Sequence, residues 1–524
     1  MSTDEQLSNI NLTKEPPRKA TTVKSTTASQ TLTPAWAICL KPLPFWLGAA
    51  GFNSEILASL GALMGAWYGL FWWYRLLKQP QQLIGFLKMG GISLSLILSL
   101  SWLVSLYVNI TKLDQSMAEA LRTEIGTTPS YYALAMTYAL CLATVLAAIG
   151  ELTFVKRLEA LALTRILSFR SLLLPRLLPL IAGISIIEML LIFSNVIAYR
   201  GYTIENYDLG VIPWYIPMVD ILMSLHILLN GLALAQLMLY RQNTRIALVI
   251  VLTSCLMVTF IFFTKGRTGF ISGVALHFIW LCFFYGKLPK LKILISAAVI
   301  VIPLIMTGTV FNNFLRGDDT GVKDINTVGI ASSIGSASEN YFSDSTARDF
   351  ESAKTVANLA TRPLVAHPLA LAMALEPDQK EFMLGENLLS SIIWALPSAF
   401  YGDKSNVKQQ EELFYQHFPF GTEDTADSVY LYAYMDFAYV GFLIYPFIIA
   451  ALWLFSLWLS TLTVMPAFVT VIFVSSWITF FSFSMGEGAI GGWFAELRNL
   501  TIALFIYIPI IKLLGIMPLK SIRN

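Results

Sequence analysis

Six basic and four acidic side chains give this chain its only concentrated chemistry. Lys265, Arg267, Arg316, Arg348, Arg362 and Arg498, with Glu386, Asp424, Asp427 and Asp436, all fall where apolar runs end on the same side or in the polar segment that joins them. Arginine suits a diphosphate because its planar fork donates two parallel bonds and keeps its charge. When a sugar–phosphate bond breaks, the leaving diphosphate gains negative charge, and fixed guanidinium groups stabilise that transition state. A carboxylate or a neutral imidazole within hydrogen-bonding reach would then take the proton of an attacking hydroxyl. Any of the four carboxylates, or one of the histidines, could fill that role. Taken singly, each charge reads more readily as a solvated side chain or a loop ion pair. The grouping carries the inference.

Other chemistries lack a signature. The histidines at 226, 277, 367 and 417 are dispersed, and no His-x-x-x-His, Cys-x-x-Cys or Asp-x-Asp spacing occurs, so neither a metal site nor a cofactor is expected. There is no Gly-x-Ser-x-Gly elbow and no phosphate-binding Gly-x-x-x-x-Gly-Lys loop. The four cysteines, Cys39, Cys141, Cys255 and Cys282, lie inside apolar runs and offer no disulfide framework.

The elements that must position these residues are membrane helices. Apolar residues make up 56% of the 524 and charged ones 13%, about half the charge of a soluble domain. Twelve runs can span hydrocarbon: 34–53, 56–74, 90–109, 131–150, 177–199, 216–240, 246–264, 268–286, 293–311, 438–460, 466–485 and 499–517. The first is the weakest, interrupted by Lys41 and the prolines at 42 and 44, and a re-entrant segment rivals it there. The expected fold is an all-α polytopic bundle. Its parts are a disordered cytoplasmic tail at 1–33, helices one to nine over 34–311, a large loop over 312–437, helices ten to twelve over 438–517, and a short tail at 518–524.

Basic residues orient the bundle with both termini in the cytoplasm. Lys156, Arg157, Arg165, Arg170 and Arg176 crowd one connector and Lys287, Lys290 and Lys292 another, while alternate loops carry Asp114, Glu119, Glu124, Glu205 and Asp208. Lys265 and Arg267 break the pattern by falling outside, either as a snorkelling pair or as a fixed positive site. The loop over 312–437 is also placed outside. From 312 to 430 it holds 17 acids and 8 bases, a net of −9, which excludes nucleic acid as a partner. Within it, 383–400 suits a helix on the membrane surface anchored by Trp394, so that the loop folds back as a lid.

Four features in order resemble the bacterial oligosaccharide repeat-unit polymerases, the O-antigen polymerase (Wzy-type) family. They are Thr264-Lys-Gly-Arg267-Thr-Gly; Asn313-Phe-Leu-Arg316-Gly; Gly385-Glu-Asn-Leu-Leu ahead of Trp394-Ala-Leu-Pro397 and Lys404; and Ser428-Val-Tyr-Leu-Tyr432-Ala-Tyr434-Met-Asp436-Phe437-Ala-Tyr-Val-Gly441. With the architecture, the resemblance covers roughly residues 56–517. The chain departs from that family in two ways. Tyr432 and Ala438 stand where relatives often have a carboxylate and a glycine, and no arginine here has a glycine eleven residues later.

The resemblance implies a metal-independent glycosyltransferase of the bacterial inner membrane. It would join undecaprenyl-diphosphate-linked repeat units into O-antigen or exopolysaccharide, alongside a chain-length-regulator protein. Arg267 and Arg316, with Lys265 and assisted by Arg348 or Arg362, would hold the donor diphosphate. Asp427 or Asp436 would take the acceptor proton, with His367 behind them. An O-antigen ligase, in which His367 is the natural base, is the nearest alternative. A transporter or flippase is the next, but transporters built as two six-span halves carry a long loop at the middle.

Overall fold

A computed structural model describes residues 33–79, 85–111, 129–169, 174–193, 215–240, 245–264, 267–292, 366–397, 404, 406–408, 410–418, 428–462, 465–484 and 490–513, with single residues elsewhere. All the described elements are helical. By length and apolar character six segments can cross a membrane: Glu55–Lys78, Phe86–Tyr107, Pro129–Ile149, Leu174–Leu191, Met218–Leu239 and Val429–Thr461. Shorter apolar stretches follow at Arg245–Thr259, Gly273–Tyr285 and Ala467–Phe480. The chain is a multi-pass membrane protein, and its outward-facing apolar residues meet the lipid.

The first group of helices is α1 (Ala35–Leu40), α2 (Leu43–Phe52), α3 (Glu55–Lys78), α4 (Phe86–Thr111) and α5 (Pro129–Ile149). Lipid tails are as apolar as leucine, so helices in a bilayer associate through close packing of small residues rather than through a hydrophobic drive. The α3 sequence shows this directly. Its buried side is Ala58, Gly61, Ala62, Gly65, Ala66 and Gly69, whereas Ile56, Leu63, Trp67 and Leu70 on its other side are exposed. The small stripe lets α3 lie close against α2 and α4.

The weak first run resolves as two short helices that together cross the full height of the bundle. At one end the Ala35 amide nitrogen faces Glu151 Oε1, just past α5, at 3.5 Å; at the other, Asn53 Oδ1 accepts the Ser130 N–H at the start of α5 at 3.0 Å. Twenty-one residues of α5 lie between, about 31 Å of helix. Pro42 ends α1, and Pro44 sits in the first turn of α2, where a missing N–H does no harm. The break is a kink, and the segment does not turn back.

The second group is α7 (Leu174–Phe193), α8 (Tyr215–Tyr240), α9 (Arg245–Thr264) and α10 (Arg267–Tyr285). Here α8 is the hub, packing on the other three. A Cβ on Gly231 would meet Trp280 Cβ at 2.5 Å, so glycine is what allows α8 and α10 to cross so closely.

Between α5 and α7 lies an unforeseen amphipathic helix, α6 (Thr153–Ser168). Its Arg165 donates to the carbonyls of Ser460, Leu462 and Met465 at 3.0, 3.0 and 3.1 Å. That clamps the turn between α15 (Gly441–Thr461) and α16 (Ala467–Ser484). The last helix, α17 (Ile490–Leu513), starts nine residues before the run read from hydropathy. Phe86 of α4 stacks on Trp453 of α15 at 4.4 Å, with Trp477 and Trp493 packed edge-on beside it, and these rings join α4 to α15, α16 and α17.

Four short helices cover the end opposite the Arg165 clamp: α11 (His367–Ala374), α12 (Glu386–Ala395), α13 (Gln410–His417) and α14 (Val429–Phe437). The surface helix expected over 383–400 is α12, which packs against α17, α13 and α14.

Candidate functional site

The polar end is organised around α12, and both of its ends are tied down by residues distant in sequence. Gly385, at φ 94°, turns the chain into the helix. The first amides of a helix have no internal partner. Here the Asp436 carboxylate supplies one: Oδ1 accepts the Asn387 N–H at 3.2 Å, and Oδ2 accepts the Tyr445 hydroxyl at 2.5 Å. Asn387 in turn donates its side-chain amide to the Tyr445 oxygen at 3.1 Å. The Met383 N–H meets the Met435 carbonyl at 2.9 Å, closing the seam between the approach to α12 and α14. Two motifs that are separate in sequence, Gly385-Glu-Asn387 and Met435-Asp436, are therefore one joint.

Alpha-14 ends abruptly. Ala438 takes φ 50° and ψ −139°, a conformation that only glycine adopts without strain, and its carbonyl accepts the Tyr138 hydroxyl at 3.2 Å. Gly441 follows where a Cβ would meet the Ala433 carbonyl oxygen at 1.8 Å.

The other end of α12 collects two cations. Lys404 Nζ donates to the carbonyls of Trp394, at 3.0 Å, and Leu396, and lies 5.8 Å over the Trp394 ring. Arg498, from α17, donates Nη1 to the carbonyl between them, that of Ala395, at 3.2 Å, and holds Asn499 Oδ1 through Nε and Nη2. Burial, and then the positive charge of Arg498, depress the Lys404 pKa. Among the described residues neither cation has a carboxylate within ion-pair distance. A helix C-terminus carries about half an elementary negative charge, so among the described residues roughly one and a half positive charges remain uncompensated. Among the described residues Lys404 and Arg498 retain unused N–H donors, and an anion would complete the site.

His367 opens α11 and is buried, its ring edge-on to Tyr132 at 4.9 Å between centroids. Its Nδ1 has no hydrogen-bond partner among the described residues, and burial pushes its pKa down to about 4, so it is neutral at pH 7. His417 sits between Glu386 and Glu381, with N–O distances of 3.4 and 3.7 Å.

Of the residues expected from sequence, Asp436 and His367 are placed in full. Arg267 is placed as the first residue of α10, at the helix start. Lys265, Arg316, Arg348, Arg362, Asp424 and Asp427 lie outside the described residues. Asp436 has both oxygens engaged in the joint. The cation pair that the fold brings together is Lys404 with Arg498. Both were visible singly; 94 positions separate them, and nothing in their spacing links them.

No family model, no curated protein and no solved structure matches this chain.

Proposed function

We propose that the chain is a glycosyltransferase of the bacterial inner membrane that joins lipid-diphosphate-linked oligosaccharide units at its extracytoplasmic face. One observation carries the reading: two cations, without acidic partners among the described residues, converge on the end of α12, at the bundle end that bears the large polar segment. A diphosphate headgroup offers adjacent anionic oxygens to such a pair while its prenyl tail stays in the bilayer. The order of the four sequence features supports the same reading, and so does the glycine-type backbone at Ala438, where polymerase relatives often carry glycine.

In this scheme the growing glycan on undecaprenyl diphosphate is the donor, and a hydroxyl of the incoming unit is the acceptor. Lys404 and Arg498 hold the diphosphate at α12. Arg267 and Arg316, with Lys265 and the loop residues Arg348 and Arg362, complete the cationic lining. Asp427 or His367 takes the acceptor proton, and Asp436 positions α12 for both. The arrangement has about twelve spans with both termini in the cytoplasm, and a chain-length regulator is the expected protein partner.

The neutral, unpartnered His367 favours a second reading, a ligase that moves finished glycan from the same lipid to an acceptor lipid. Deletion of the gene followed by gel analysis of surface glycan separates the two. A polymerase deletion leaves a single capped unit and no ladder; a ligase deletion leaves long polymer on the carrier lipid. An unchanged ladder would refute both.

A further inference from the structure

The second helix group holds a set of polar side chains that the proposed transfer reaction does not use. Glu188 (α7), His226 and Asn230 (α8), Ser254 (α9) and His277 (α10) are all buried, Glu188, His226 and Asn230 completely. His226 Nδ1 lies 2.7 Å from Glu188 Oε2, and His226 Nε2 lies 2.6 Å from Ser254 Oγ. Ser254 donates to Asn230 Oδ1 at 2.9 Å, Asn230 Nδ2 meets His277 Nε2 at 3.4 Å, and His277 Nδ1 meets the Gly273 carbonyl at 2.8 Å. Ser185 adds its hydroxyl to Ser254 at 3.2 Å. His226, Ser254 and His277 each sit about ten residues from a helix end, roughly 15 Å along the axis and so near mid-membrane.

The direction of each bond can be worked out from one fixed point. The Gly273 carbonyl only accepts, so His277 carries its proton on Nδ1 and, when neutral, accepts at Nε2. Asn230 must then turn its amide nitrogen to His277 and its oxygen to Ser254. Ser254 spends its proton on Asn230 and so accepts from His226, whose Nε2 is protonated. Between His226 Nδ1 and Glu188 Oε2, 2.7 Å apart, exactly one proton remains to be shared. The second carboxyl oxygen, Glu188 Oε1, is buried with no hydrogen-bond partner among the described residues. Bare charge there would be costly, whereas the carbonyl oxygen of a neutral acid is tolerable.

We propose that Glu188 and His226 form a proton-binding site inside the bilayer, and that its loaded form is the one described. The Glu188 acid donates to His226 Nδ1. Release of one proton to the medium leaves a Glu188 carboxylate and a single imidazole proton, on Nδ1. His226 Nε2 is then an acceptor, and the Ser254 hydroxyl turns from Asn230 to fill it. Loading and unloading thus make and break the α8–α9 bond between Asn230 and Ser254. Among the described residues, few other titratable groups lie on the helices packed around the pair. On α8 Asp220 stands six residues before His226, on α9 Cys255 adjoins Ser254, and Arg176 and Arg245 sit at the far ends of α7 and α9. Alpha-10 adds Cys282 beyond His277, α16 contributes none, and α17 brings Glu496, held by Ser476, and Arg498.

The test is infrared difference spectroscopy of the full chain in lipid nanodiscs, titrated from acid to alkaline medium. The wild type is expected to show the C=O stretch of a protonated carboxylic acid at neutral pH. That band should be lost in Glu188→Gln and should shift in frequency and midpoint in Ser254→Ala, which keeps the acid and alters only its chain of bonds. A neutral-pH spectrum with carboxylate bands alone, or an acid band that neither variant changes, would overturn the proposal. So would covalent capture of Ser254 by a fluorophosphonate, which would make the same three side chains a nucleophile with its base. None of these readouts depends on sugar transfer, so failure of the proposed polymerase reading leaves the test intact.

Discussion

Asp436 and Asn387, 49 residues apart, meet through a 3.2 Å bond from the Asn387 N–H to the Asp436 carboxylate. That bond fixes the near end of α12, and so determines where its far end presents Lys404 and Arg498. A residue chosen from sequence as a proton acceptor thus also holds α12 in position.

Replacing Asp436 with alanine should unfold the joint, because Tyr445 and the start of α12 lose their acceptor together. A hydrogen bond to a charged group contributes about 1.5–3 kcal/mol, so a loss of about 3 kcal/mol is expected in thermal unfolding. Asp436→Asn should recover part of that stability along with part of the activity. A folded Asp436→Asn protein with no activity at all would point back to a proton-transfer role.

Ala438→Gly should stabilise the protein. The alanine sits at φ 50°, and relief of such strain is worth about 1–3 kcal/mol, less the extra chain entropy of glycine, giving a net gain of about 1 kcal/mol. Unfolding midpoints of the two proteins, compared in the same detergent, measure it directly.

Lys404→Ala and Arg498→Ala should each shorten or abolish the glycan ladder at normal protein abundance, and the double variant should do little more than either alone. Arg498→Lys should restore charge but not the fork, and so only part of the activity. Full-length ladders in the double variant would remove the anion site from the scheme.

Two buried groups give the stability opposite slopes with pH. His367 has its pKa pushed down to about 4 by burial, from an ordinary 6.5. The unfolded chain binds more protons between those values, so stability should fall as pH drops through that window, by roughly 3 kcal/mol in the limit. Glu159 on α6 is raised to about 8, chiefly by burial, against the lowering influence of Lys88. Its contribution is present at low pH and is lost as pH rises from 4.5 through about 8. His367→Gln should flatten the acid side of the stability curve, and Glu159→Gln the alkaline side.

The helices were legible because membrane spans announce themselves by length and composition. The doubtful run at 34–53 folds as α1 and α2, and only contact with both ends of α5 shows that the pair extends along the height of the bundle. What sequence could not supply was pairing. Asp436 looked available because nothing in its neighbours reveals that Asn387 and Tyr445 close over it. Lys404 and Arg498 were seen one at a time. Glu188 had a readable signal, an acid within the apolar run Ile186-Ile187-Glu188-Met189-Leu190, but the network it joins is drawn from three other helices.

The three carbonyls held by Arg165 have a mechanical meaning. They draw α6, α15 and α16 together at one end like the closed mouth of a purse. Any separation of those helices wide enough to admit a lipid headgroup must begin at the opposite rim, where α12 and its two cations lie.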